Sequence, residues 1–184
     1  MDSIPEAVLR LMRDERTVQR DVCQAALAER DILPCLQVTG AALALLYDLF
    51  FTASTSDEQQ HRRVHMVLRT YNSIAAALSL ARNGYLLHSF MAQRDLMEHA
   101  LLVDYFGGRP DEFAVWCTCP AKKRKERFRP GHIRKALNER DGIRRGTQTW
   151  RDKIYRLLSQ YAVHPDPQHW RFATTRGHLL LSFA

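Results

Sequence analysis

Arg94 and Glu98 stand four residues apart in the stretch Gly84 to Phe106, GYLLHSFMAQRDLMEHALLVDYF. That spacing is one helical turn, so a guanidinium can reach a carboxylate along the same face. Drawn as a helix, the stretch gathers Leu87, Phe90, Met91, Met97, Leu101 and Tyr105 into one stripe, and both charges fall inside it. The two are therefore expected to be buried together, since a lone buried charge costs several kcal/mol, in order-of-magnitude terms. Such a pair either fixes helix register or forms a polar pocket whose arginine binds an anion while the glutamate orients it. His164, just before Pro165, is a candidate general base pointing inward over the end of the last helix; the competing role is to cap that helix and gain from its dipole. Tyr155 and Ser159, one turn apart, are expected to extend the same polar cluster.

Arg82 and His88 are separated by five residues. On an uninterrupted helix they would lie about 120° apart, so they meet only across a kink at Gly84 or across a dimer interface. His88, Asp95 and His99 fall on the face opposite the apolar stripe, where they could hold a metal or line a solvated or partner-facing surface. Cys117 and Cys119 lack the paired C-x-x-C spacing of a structural zinc site, even with His132 nearby. The four cysteines read as free thiols, and no metal or other cofactor is expected. No Gly-rich phosphate loop, Ser-His-Asp arrangement or dinucleotide fingerprint is present in the sequence.

These residues need helices to hold them. The chain has 184 residues, ordinary apolar content, 8 glycines and 7 prolines, which suits a globular protein with a real core. Helical rhythm runs from about Pro5 to Ala28. Pro34 opens a second segment, LQVTGAALALLYDLFF, which is apolar nearly all round and is expected to be a central core helix. Ser56 with Gln59 reads as a capping box before a third helix ending near Asn83-Gly84. The Arg94–Glu98 helix follows and stops at Gly107-Gly108; short helices follow Pro110 and Pro130. A last helix spans about Thr147 to Val163, with Trp150, Ile154, Leu157, Leu158 and Tyr161 as its expected buried face. The expected fold is all-α: an antiparallel bundle of about five to seven helices over 1–167, then a tail or small hairpin over 168–184 turning at Arg176-Gly177. The N-terminus has no secretory pattern and no uncharged apolar run of about 18 residues is found, so a cytoplasmic protein without a membrane span is expected.

The net charge of +7 is concentrated. Between Lys122 and Arg156 there are fourteen Lys or Arg against four acids. A patch of that kind attracts phosphate polyanions without selecting among them. Lys122, Lys123, Arg124 and Lys125, on an expected exposed loop or loose helix, and Arg156 are the candidate ligand contacts; a plain solvated face is the alternative.

The segments SLARNGYLLHSFMAQRDLMEHALLVDYF, FRPGHIRKALNERDG and IYRLLSQYAVHPD resemble a group of mostly uncharacterised bacterial helical proteins carrying an R-x-x-x-E element and a Y-x-x-x-S…H-P ending. That group is similar to HEPN-like helical domains, several of which occur in abortive-infection and toxin–antitoxin systems. The resemblance covers about Ser73 to Asp166 and carries over Arg94, Glu98, Tyr155, Ser159 and His164 as pattern positions. Active HEPN ribonucleases use an R-x(4–6)-H motif without a metal. Arg82 and His88 satisfy that spacing here, though in the middle of the chain rather than in the last helix; Arg156 to His164 is too long. The resemblance implies a dimeric domain that binds RNA or another polyanion, with an operon-encoded partner protein. As a metal-independent endoribonuclease it would use His164 or His88 as general base and Arg94, Arg82 or Arg156 to stabilise the pentavalent phosphate. The alternative is a non-catalytic protein-interaction module in which Arg94 and Glu98 are structural.

Overall fold

Prolines and glycines punctuate the chain where its helices begin and turn. The computed structural model describes residues 4–53, 57–163, 174–175 and 178–179, and up to residue 163 its regular elements are all α-helices. The helices are α1 (Glu6–Ala28), α2 (Ile32–Thr52), α3 (Glu58–Arg82), α4 (Leu86–Phe106), α5 (Pro110–Thr118), α6 (Ala121–Arg127), α7 (Pro130–Arg140) and α8 (Trp150–Val163). Pro110 and Pro130 occupy the first turns of α5 and α7, where a missing N–H costs nothing. Gly84, at φ 83°, takes the left-handed conformation that lets α3 turn into α4. Thr174–Thr175 pairs antiparallel with His178–Leu179; the remainder of the 168–184 tail lies outside the described residues.

α4 is the element against which α3, α7 and α8 pack. Its Leu101 joins Phe128, Ile133 and Leu137 in the best-buried cluster, with Met97, Tyr105, Phe106 and Trp116 packed around it. On the other side, Ser89 is 1% exposed and donates to the Ala77 carbonyl at 2.8 Å, which lets α3 and α4 approach closely. Met91, expected in the buried stripe, is instead exposed.

Of the two forms expected for TCPAKKRKERFR, an exposed loop or a loose helix, residues 121–127 take the helix: they form α6, with Phe128 just beyond it buried in the core. Other expectations change. The cap of α3 is Asp57, which accepts from the Gln60 N–H at 2.7 Å; Ser56 lies outside the described residues.

α2 is not a central helix. None of its residues is buried, and Val38, Leu45 and Phe51 are 71%, 60% and 64% exposed. A helix apolar all round carries no azimuthal signal, and its contacts with α3 and α1 cover only one side. By length and composition alone α2 is also long and apolar enough to cross a membrane, contrary to the expectation that no segment would be.

α8 is rotated from its expected orientation. Trp150, Ile154 and Leu157 are exposed, while Leu158 is buried and the polar Tyr155 and Ser159 are partly buried. The reason is electrostatic: Arg151, only 8% exposed, reaches Asp141 at 2.7 Å and Asp104 at 3.5 Å. Arg140 meets the same two carboxylates at 2.9 and 2.7 Å. This network ties the ends of α4 and α7 to the start of α8 and turns the helix with it.

Candidate functional site

The Tyr155 hydroxyl sits between the two charges of α4. Arg94 Nη2 donates to it at 3.1 Å, and it donates to Glu98 Oε1 at 3.0 Å. Arg94 Nε lies 3.2 Å from the same Glu98 oxygen, close enough for charge attraction but not aligned for a hydrogen bond. The expected pair is therefore formed, and Tyr155 joins it. Full burial is not reached: the two side chains are 28% and 32% exposed. Burial pulls the Arg94 pKa down, but the Tyr155 hydrogen bond and the Glu98 charge together outweigh it, so the net shift is upward and Arg94 stays charged. Ser159 Oγ is buried without a hydrogen-bond partner among the described residues.

A second guanidinium approaches the same tyrosine from α7. The Arg134 guanidinium carbon stands 4.0 Å from the Tyr155 ring centroid, against 5.4 Å for that of Arg94. Arg134 also donates from Nε to Asp152 Oδ1 at 3.0 Å. Asp152 in turn accepts from the Thr149 hydroxyl at 2.8 Å, while the Asp152 N–H reaches back to Thr149 Oγ1 at 3.3 Å. This is a reciprocal cap on α8. Burial would raise the Asp152 carboxyl, but Thr149 and Arg134 prevail and hold it below 3.8.

Beside this knot, α7, the 143–148 loop and α8 enclose an open groove of about 710 Å³. Its cations are Arg134, Lys135, Arg144, Arg145 and Arg156; its acids are Glu139 and Asp152. Asp152 is taken up as described, and Glu139 faces Lys135 at 3.8 Å. The Arg144, Arg145 and Arg156 guanidiniums have no acidic partner among the described residues. Tyr155 and Ser159 line the same groove, which therefore presents a hydroxyl, an aromatic ring and unneutralised positive charge together. Such a surface can bind successive phosphates with a base or sugar between them.

The other candidates are dispersed. Arg82 ends α3 and His88 lies in the first turn of α4; no hydrogen bond joins them, and His88 meets Tyr85 edge-on at 6.3 Å. His164 lies outside the described residues. Lys122, Lys123 and Lys125 are exposed on α6, and none lines the α7–α8 groove. Arg124 turns inward, over the Trp116 ring at 5.6 Å and onto the Cys119 carbonyl at 2.9 Å. The His88, Asp95, His99 row does not form a metal cluster; no group of three ligating side chains occurs among the described residues. Asp95 and His99 instead face α3, where Ser73 and Arg69 bond Asp95. The four cysteines are free, and His132 bonds Arg129 at 2.8 Å.

Arg134, Lys135, Arg144 and Arg145 were not singled out from the sequence. They belong to the counted basic segment, and the only signal was their position on either side of Asp141-Gly142, where a reversal brings two basic stretches together. No family model, curated protein or solved structure matches the chain.

Proposed function

We propose that the chain is a HEPN-like helical domain, an antiparallel bundle followed by a small C-terminal hairpin, that binds RNA or a similar phosphate-rich polymer along the α7–α8 groove. The observation that carries this reading is the groove itself, with five cations against two acids that are already paired. Tyr155, held by Arg94 and Glu98 and covered by the Arg134 guanidinium, makes the groove wall rigid, and the Arg144, Arg145 and Arg156 guanidiniums beside it are the groups left to meet phosphates. The reading extends to a cytosolic role in a bacterial defence or toxin system and, as its first reaction, metal-independent RNA cleavage. In that reaction His164 or His88 takes the 2′-hydroxyl proton as its oxygen attacks the adjacent phosphorus, Arg156 or Arg94 stabilises the phosphorane, and the P–O5′ bond breaks as the proton is returned to the departing 5′-oxygen.

The test is incubation of purified protein with mixed single-stranded RNA in EDTA, alongside His164→Ala, His88→Ala and Arg156→Ala variants confirmed as folded by circular dichroism. Binding that weakens in Arg156→Ala supports the groove. Cleavage lost in one histidine variant alone identifies the base; retention of cleavage in all three rejects these roles. A second reading, a dimeric or partner-binding module without catalysis, is favoured by the exposed apolar faces of α1 and α2. It predicts no cleavage by any variant and loss of self-association when α2 is made polar.

A further inference from the structure

α3 packs against both α2 and α4, and those two helices stand far enough apart to leave an apolar groove of about 750 Å³ between them. Leu46 and Leu49 of α2 line one side and Ala100 and Val103 of α4 the other, with Pro110 and Phe113 of α5 at one end. It shares no lining residue with the α7–α8 groove, and the RNA reading makes no use of it. The floor is one face of α3. Arg63, Met66, Val67 and Thr70 line it at three- and four-residue spacings, so that from Arg63 to Thr70 the groove follows two helical turns, about 10 Å.

Polarity is confined to three of the lining side chains, Arg63, Thr70 and Asp104, and two of them are already engaged. The Thr70 hydroxyl donates to the Met66 carbonyl at 2.8 Å, while Asp104 is held by Arg140 at 2.7 Å and by Arg151 at 3.5 Å. Arg63 has neither a carboxylate nor any other hydrogen-bond acceptor among the described residues. Its guanidinium carbon stands 5.3 Å from the Phe113 ring centroid, an attraction that keeps the charge at the α5 end of the groove. An apolar slot with one unmatched cation at its end is complementary to an amphiphile with one negative charge.

We propose that this groove binds a medium-chain fatty acid, taken free from solution, with its carboxylate on Arg63 and its alkyl chain laid along α3 towards Thr70. The planar guanidinium presents paired N–H groups that match a carboxylate. A single positive charge balances a single negative one, whereas a dianionic headgroup would leave a charge unmatched beside apolar walls. The two-turn length sets the chain length, since a longer tail would project past the apolar lining.

Calorimetric titration of the full chain with hexanoate, octanoate and octanol at neutral pH tests this. Octanoate is expected to bind once per chain, and each methylene gained over hexanoate should tighten binding about fourfold. In the parent, octanoate should bind roughly tenfold more tightly than octanol. Arg63→Gln, at an exposed position and folded by circular dichroism, should bind the two equally. Val103→Phe, at a position 52% exposed, should fill the groove and weaken octanoate roughly tenfold, while Arg156→Ala leaves it unchanged. Absence of saturable octanoate binding by the parent, equal affinities for octanoate and octanol, or a preference for octanoate that survives in Arg63→Gln would overturn the proposal. A parent that sediments as a dimer and binds no octanoate, beside a monomeric Leu45→Glu variant that does bind it, would overturn it in favour of a second copy of this chain as the occupant.

Discussion

Tyr155 is the residue on which the α4 charges depend. Its hydroxyl accepts from Arg94 and donates to Glu98, so Tyr155→Phe removes one acceptor and one donor from a half-buried ion pair. Hydrogen bonds to charged groups contribute about 1.5–3 kcal/mol, and partial exposure reduces the loss here to roughly 1–2 kcal/mol, measurable by urea denaturation. An unchanged midpoint would mean that the pair is held by its own helix alone. Asp152 makes a pH-dependent contribution. Its folded pKa lies below 3.8, so the unfolded state binds the proton first as pH falls. The stability it adds is complete well above 3.8 and disappears as pH drops through the lower, folded value. Asp152→Asn should therefore destabilise the protein at neutral pH and flatten its acid-unfolding limb below about pH 4, as thermal melts across pH would read.

At the scale of elements, the legible features were those that recur within one helix. The spacing of Arg94 and Glu98 foretold their pairing, and Tyr155 joins them as the polar cluster had it, although the face of α8 expected to be buried was another. What could not be read was how one helix is turned against another. The apolar residues Trp150, Ile154 and Leu157 suggested a buried face, yet Arg151 bound to Asp141 and Asp104 turns that face outward. Arg134 was invisible for the same reason: its place over Tyr155 depends on how α7 crosses α8. α2 is the clearest case, because composition made it a core helix while its neighbours cover only one side. In the second proposed reading, the apolar side chains left on that surface are the contact with a second copy of the chain. Leu45→Glu, at a position 60% exposed, should convert a dimer to monomer in sedimentation while leaving the helical circular dichroism intact. Sedimentation as a monomer by the parent would remove the dimer from the reading.

Over the whole molecule, the excess positive charge is confined to the last third of the described chain, and the fold divides it further. Exposed lysines on α6 face one region, and Arg134, Lys135, Arg144, Arg145 and Arg156 share the α7–α8 groove. A sequence count of bases could not separate these two surfaces, but salt can. Each phosphate of a single strand neutralised by the protein releases condensed counterion, so the logarithm of the binding constant falls with the logarithm of salt by about 0.7 per contact. Arg144→Ala/Arg145→Ala should therefore reduce the slope by roughly 1.4 for single-stranded RNA, whereas replacement of Lys122 and Lys123 by alanine should change it little. Fluorescence anisotropy over a salt series measures both. The opposite result, a reduced slope only in the α6 variant, would move the polymer to the α6 surface and leave the groove without an RNA role.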